Sequence, residues 1–349
     1  MNLKDFLLIG HITRDIAPNG EFIPGGPVTY AGITLALRGH NVQILTKAAQ
    51  NDPLLDFIRS YGINISNLSS TEQADTTTYT NIYDEFQNRT QFISAVGELF
   101  AQRDLAHITE LAKGKRTMIL PVANEIPSTF YQPLSKNAEL LIAAPQGSLR
   151  RWDENGRVFH EPFTPEYLDA LTHANITTIS NEDMEGFSEE MRYQILHQTS
   201  DTVILTNGRD GAHMYHDFEV SDVPPFRLDY ESEEKGGYPT GNGDHMTAVI
   251  AEGAPPFAEK LLDPFQYQED MYTAVAKGAF LTALKIIKRD GVEDGIGSIW
   301  QPADIAHWSK QNIDRIYTYA DICNLDLDVF LEGKQHNQQE GNTKSFYRR

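Results

Sequence analysis

Short apolar runs of strand length recur along the chain, separated by segments whose apolar residues repeat at helical spacing. The runs are "FLLIG" (6–10), "VQILTKA" (42–48), "TMILPV" (117–122), "LLIAA" (140–144), "ITTIS" (176–180) and "TVILT" (202–206). Between them the spacing predicts helices over Val28–Arg38, Pro53–Tyr61, Asp104–Ala112, Pro165–Ala174 and Glu189–Gln198. Strands this evenly apolar need cover on both faces, and alternation with helices supplies it in a parallel sheet. The predicted fold class is therefore α/β, doubly wound, with a mostly parallel central sheet and helices on both faces. One stretch breaks the rhythm: "DTTTYTNIYDEFQNRTQFIS" (75–94) alternates threonine with aromatic residues around a polar turn, which reads as a β-hairpin lid. After Asp244 the pattern turns helical, most strongly over 271–288, where Val275, Phe280, Ala283, Leu284 and Ile287 share a face. The reading is one domain over 1–332, with lid strands near 12–26 and 75–96, followed by a flexible polar tail over 333–349.

Composition narrows the function classes. The chain has 349 residues, enough to bury a large core, and 29 basic against 49 acidic side chains give a formal net charge of −20. That field repels nucleic acid and anionic membrane surfaces, so neither is expected as a partner. Any phosphate must be held locally, by backbone N–H groups or a metal ion. Cys323 is the single cysteine, which fits a reducing compartment, and no segment approaches the length of a membrane span. A cytoplasmic protein is expected.

The stretch "YPTGNGDHMTAVIAEGA" (238–254) concentrates the candidate chemistry. A helix amino terminus leaves backbone N–H groups unpaired, and glycines beside it let an anion approach them. Gly241, Asn242 and Gly243 suit such an anion cradle, and Asp244, in the same positive field, is kept ionised. A carboxylate there can take the proton of a hydroxyl attacking phosphorus. Taken alone, the same string is a turn followed by a capped helix. The GxxxxGK[ST] string of P-loop enzymes is absent, and no strand is followed by GxGxxG.

In order along the chain, "LLIGHITRDI", "IPGGPVTYAGITLALRGHNV", "VILTNGRDGAHMY" and "TGNGD" resemble four landmarks of the ribokinase-like, or PfkB, family of carbohydrate and nucleoside kinases. The resemblance spans roughly residues 5–300. It implies that Asp15 grips acceptor hydroxyls, that the Gly25–Gly26 backbone lies near the acceptor, and that Thr206, Gly208, Gly211 and Thr240 serve the ATP phosphates. It makes Gly241, Asn242 and Gly243 the anion hole and Asp244 the catalytic base, with Mg2+ bridging the phosphates. Tyr30 stands where the family's asparagine contacts sugar hydroxyls, which makes it a candidate acceptor-binding residue and argues against ribose. The family's cation-linked aspartate is here Tyr238, which argues against potassium activation. Its metal-linked Asn-x-x-Glu has no direct counterpart, because Asn181 plus three is Met184. Either Ser180 works with Asp183, the favoured reading, or Asn181 works with Glu185, in both cases through water.

"AAPQGSLRRWDENGRVF" resembles a subset with inositol kinases, so that Gln146 and Arg150 reach the acceptor; the alternative is a strand-to-hairpin connection. His11, at the end of the first strand, reads as a structural residue. The expectation is an ATP- and Mg2+-dependent kinase for a small polyol, such as a sugar or inositol-like ring, whose lid either pairs in a homodimer, as the resemblance implies, or stays alone. A nucleoside kinase and a catalytically silent sugar or nucleotide sensor are the alternatives.

Overall fold

The protein is described by a computed structural model covering residues 3–16, 20–71, 73–83, 89–226 and 242–287, together with 319, 323 and 325. Nine strands form the central sheet. They are β1 (Asp5–Ile9), β4 (Asn41–Thr46), β5 (Asn64–Asn67), β8 (Arg116–Ile119), β9 (Leu140–Ala143), β12 (Ile176–Ser180), β13 (Thr202–Thr206), β14 (Ala212–His216) and β15 (Glu219–Val223). Their order is β15-β14-β13-β12-β9-β8-β1-β4-β5, parallel from β5 through to β13 and antiparallel over the β13-β14-β15 edge.

Alternate positions of the apolar strands feed two separate cores, which is why the runs read as continuous. Phe6 and Leu8 join the cluster containing Val28, Met246 and Val275, whereas Leu7 and Ile9 join the cluster containing Leu105, Leu134 and Leu171. The helices Pro27–Leu37, Asn242–Gly253 and Pro264–Ile287 thus cover one face. Gln102–Ala112, Tyr131–Ser135, Pro165–Leu171 and Glu189–His197 cover the other. On the long helix Pro264–Ile287, the predicted Val275, Phe280 and Ala283 are buried. The β14-β15 edge escaped the apolar-run criterion because its burial alternates, with only every second residue of β14 fully covered.

A second sheet of four strands, β2 (Thr13–Ile16), β3 (Phe22–Gly25), β6 (Thr77–Tyr83) and β7 (Arg89–Ala95), has the order β3-β2-β6-β7. It is the small lid sheet. A further hairpin, β10 (Arg150–Trp152) with β11 (Val158–His160), buttresses it: Ile93 N donates to Gly156 O at 2.8 Å, and Phe92 bridges to Arg157. The central sheet reverses direction at β1, since the chain first builds β4 and β5 on one side and then β8 and β9 on the other. The gap between the carboxyl ends of β1 and β8 is therefore a topological switch point, where open α/β sheets bind ligands. β2 leaves β1 directly at that gap. No helix among the described residues is long and apolar enough to cross a membrane.

Candidate active site

On the lid side of the switch point, Asp15 lies on β2 opposite Ile23 of β3, with Thr13 opposite Gly25. Its Oδ1 accepts from Thr13 Oγ1 at 3.3 Å and its Oδ2 accepts from Asn81 Nδ2 at 3.2 Å. A Cβ on Gly25 would lie 2.7 Å from Asp15 Oδ1, so glycine is what admits the carboxylate. Gly26 holds φ at +90°, and its carbonyl accepts from Thr29 N and Tyr30 N, which starts the helix Pro27–Leu37. Tyr30 is only 2% exposed and donates its hydroxyl to Pro24 O at 3.4 Å. That residue supports the glycine pair from below.

The loop after β8 forms a wall of this region. Val122 O accepts from Tyr79 Oη at 2.7 Å and from Arg150 Nη1 at 3.1 Å, and the Arg150 guanidinium sits 5.5 Å over the Tyr79 ring. Burial pushes the Tyr79 phenol up to about 12, against the opposing charge of Arg150. Arg150 Nε is buried with no protein partner. Gln146 is half-buried at the start of the turn Gln146–Leu149, and Gly147 is in backbone contact with Pro121 and Val122, which a Cβ would block. The stretch is the strand-to-hairpin connection, with Gln146 opening its turn and Arg150 starting the hairpin strand.

Sequence reasoning passed over Glu125. Its fully buried carboxylate gathers the N–H groups of His11, Val122 and Ala123 at 2.7–3.0 Å, tying the exits of β1 and β8 together across the switch point. Nothing but its place in a loop between two prolines hinted at this. His11 has Nδ1 bonded to Thr77 Oγ1 at 2.8 Å and Nε2 to Glu98 O at 3.0 Å, a structural role at the base of the lid.

The helix Asn242–Gly253 runs against the strands. At one end Thr178 Oγ1 on β12 bonds Thr247 Oγ1 at 2.8 Å, and Thr247 donates to Gly243 O, so the first turn lies toward the carboxyl ends. At the other end Arg116, the first residue of β8, donates to Ala251 O at 2.6 Å and Ala254 O at 2.7 Å, and Lys4 reaches Glu252 O. Two cations at the carboxyl terminus complement the dipole there and leave the positive end facing the sheet's ligand edge. Asn242 and Asp244 are half-buried and Gly243 is exposed, with open space where its Cβ would stand. Tyr238, Thr240 and Gly241 lie outside the described residues.

Ser180 and Thr206 end adjacent strands as register partners, and Asn181 N donates to Thr206 O at 2.9 Å. Gly208 and Gly211 follow with φ of +57° and +90°, and a Cβ on Gly211 would overlap Val223 O. Asp183 accepts from Ser180 N at 3.0 Å and from Ser180 Oγ at 2.6 Å through Oδ2, while Oδ1 is buried with no protein partner. Glu185 is exposed, and Asn181 is exposed with its Oδ1 bonded by Arg192. Ser180 and Asp183 are thus bonded directly to each other. Met184 is fully buried in the core. Among the described residues no three His, Cys, Asp or Glu side chains converge to hold a metal directly. A cavity of about 280 Å³ lies on the far side of the Glu125 loop, lined by Phe100, Ser148, Arg151, Phe163 and Tyr167; none of the predicted site residues lines it.

No protein-family model and no curated protein matches the sequence. Solved structures do match the fold. A pyrophosphate-dependent kinase of the ribokinase family, solved with a pyrophosphate analogue and myo-inositol, superposes with a TM-score of 0.61 at 19% identity, over 84% of this chain and 98% of that one. Thermotoga maritima ribokinase gives 0.59 at 16% identity, over 88% of this chain and 100% of that one. A Burkholderia thailandensis nucleoside kinase in complex with inosine gives 0.60 at 15% identity, over 88% and 97%. With its mostly parallel nine-stranded sheet, its small lid sheet and these neighbours, the chain has the ribokinase-like fold.

Proposed function

We propose that the protein transfers the terminal phosphoryl group of ATP to a hydroxyl of a small polyol, a sugar or an inositol-like ring. The observation that carries this reading is the placing of two acids on elements that both lead to the carboxyl edge of the central sheet. Asp15 sits on a lid strand leaving the switch point, and Asp244 lies in the first turn of a helix whose amino end points to the same edge. In this reading Asp15 and the Gly25–Gly26 backbone orient the acceptor, with Gln146 and Arg150 at the wall and Tyr30 as support. Asp244 takes the proton from the attacking hydroxyl as the new O–P bond forms and the bond to the leaving ADP breaks. Amides of Asn242 and Gly243, with Gly241, receive the charge on the moving group. Thr206, Gly208, Gly211 and Thr240 hold the nucleotide phosphates. Lid closure excludes water and so suppresses hydrolysis.

Mg2+ fits the residues present. Asp183 keeps one buried carboxylate oxygen without a protein partner, a hard donor suited to a hydrated ion held mainly by phosphates and water. Such an ion would neutralise phosphate charge, with Ser180 positioning the Asp183 carboxylate. Tyr238 in place of an acid speaks against a requirement for potassium. Two second readings rest on the structural neighbours: pyrophosphate as donor, and a nucleoside as acceptor. The outer face of the lid, with Phe22 and Ile82 about half exposed, suits a homodimer.

Phosphate transfer is tested across myo-inositol, hexoses, pentoses and inosine, with ATP and separately with pyrophosphate, with and without K+. Acceptor-dependent ADP release on a polyol is expected. No transfer to any acceptor from either donor would sink the kinase reading.

A further inference from the structure

Beyond Asp15 itself, the lid carries an ordered row of amides. Asp15 on β2 pairs in parallel with Tyr79 on β6, so Asn81, two residues on, projects from the same face and is its diagonal neighbour. Gln91 on β7 lies directly opposite Asn81. Gln91 Nε2 donates to Asn81 Oδ1 at 2.8 Å, and Asn81 Nδ2 donates to Asp15 Oδ2 at 3.2 Å. All three side chains are half-buried.

The direction of this relay follows from chemistry. A carboxylate only accepts, so the group facing Asp15 must donate, and Asn81 can do so only with its amide turned one way. Turned that way, Asn81 presents its oxygen to position 91, which must then be a donor; glutamine satisfies this and glutamate would not. We propose that Gln91 and Asn81 are positioning residues that fix the Asp15 carboxylate, and thereby determine which polyol, and which of its hydroxyls, is presented for phosphorylation. The inference rests on the kinase reading above, in which Asp15 holds the acceptor. A ring bearing several near-equivalent hydroxyls can be gripped in several rotations, and the orientation of the gripping carboxylate selects among them.

The test uses the full-length protein and the compound of the panel (myo-inositol, D-ribose, D-fructose or inosine) that gives the highest turnover. Gln91→Glu retains size and shape but removes the donor. Asn81 must then flip its oxygen toward Asp15, or leave two carboxylates facing it. An acceptor KM raised about 10-fold or more is expected, matching the loss of one charge-assisted hydrogen bond. The donor KM should hold and kcat should stay within about 2-fold. Gln91→Met, which frees Asn81 without opposing it, should fall between wild type and Gln91→Glu. Asn81→Leu should raise the acceptor KM and change the distribution of phosphorylated positions seen by 31P and 1H NMR. Thermal melts accompany each variant; a purely structural effect would lower the melting temperature, with no ordering of Glu beyond Met in acceptor KM. If wild type turns over and Gln91→Glu leaves acceptor KM and product positions unchanged, the relay is overturned while the kinase reading stands. Absence of transfer to every compound overturns both.

Discussion

Asp244 is half-buried in the first turn of a helix that is otherwise almost wholly buried from His245 to Glu252. An acid in this place lies in the field of the helix amino end, which stabilises its charged form and makes it available as a proton acceptor. Asp244→Asn conserves size and helix but cannot take a proton. The expected outcome is a fall in kcat of about 10²-fold or more, with ATP affinity by calorimetry largely retained. Near-normal turnover of the variant would remove Asp244 from the mechanism. On the lid, the Asp15 oxygens accept from Thr13 and Asn81. In the proposed mechanism Asp15 orients the acceptor and Asp244 takes the proton.

The helix Asn242–Gly253 works as an element because its far end is neutralised. Arg116 is 1% exposed and donates to carbonyls at Ala251 and Ala254, with Glu139 on its Nε at 3.1 Å. Arg116→Met would strip those carbonyls of donors inside the core. A loss of about 3 kcal/mol is expected, read from denaturant melts, because breaking a buried charged network leaves its partners unsatisfied. Arg38 and His40 flank the Glu252 carboxylate on the same turn. Although burial raises the pKa of Glu252, its bonds to His40 and Arg38 more than offset this and hold it below the usual carboxylate range.

A second charged network ties the lid's exit to the core. Glu98 accepts from Lys47 and from Ser70 N and Oγ, and Lys47, fully buried, also pairs with Asp104 at 2.9 Å. Desolvation works against the Glu98 charge, but the hydrogen bonds from Ser70 and Lys47 bring its pKa down to about 2. An acid whose folded pKa is depressed binds its proton more readily when unfolded. Its contribution is therefore present above the ordinary value of 4.5 and is lost as pH falls from there toward about 2. Between pH about 5 and about 3, Glu98→Gln should lose less stability than wild type in thermal melts. Equal losses would place the acid sensitivity elsewhere.

For the whole molecule, the chain passes from the nine-stranded sheet into the four-stranded one where β2 follows β1. β7 is buttressed by the β10-β11 hairpin, whereas β3 is the opposite edge strand. With Phe22 and Ile82 half exposed on the outer face, a homodimer through the lid is the proposed assembly. Light scattering should give twice the chain mass of 39.3 kDa, falling to the single-chain value in Ile82→Asp. A wild type that scatters as a single chain would remove the dimer.

The sequence alone determined the layered architecture, because periodicity is local: a run such as "FLLIG" carries its need for two buried faces in consecutive residues. It also marked the turn glycines and the acid at the helix start, since both are properties of a few adjacent positions. The β14-β15 edge was not legible, because a half-covered strand alternates like many polar segments. What only the tertiary structure decided is who meets whom. The pairing of Ser180 with Thr206, the closure of the switch point by Glu125, the neutralising of a helix end by Arg116 from a strand 135 positions away, and the Gln91–Asn81–Asp15 row all join residues distant in sequence. Such contacts depend on strand order and register, and neither is written in any single segment of the chain.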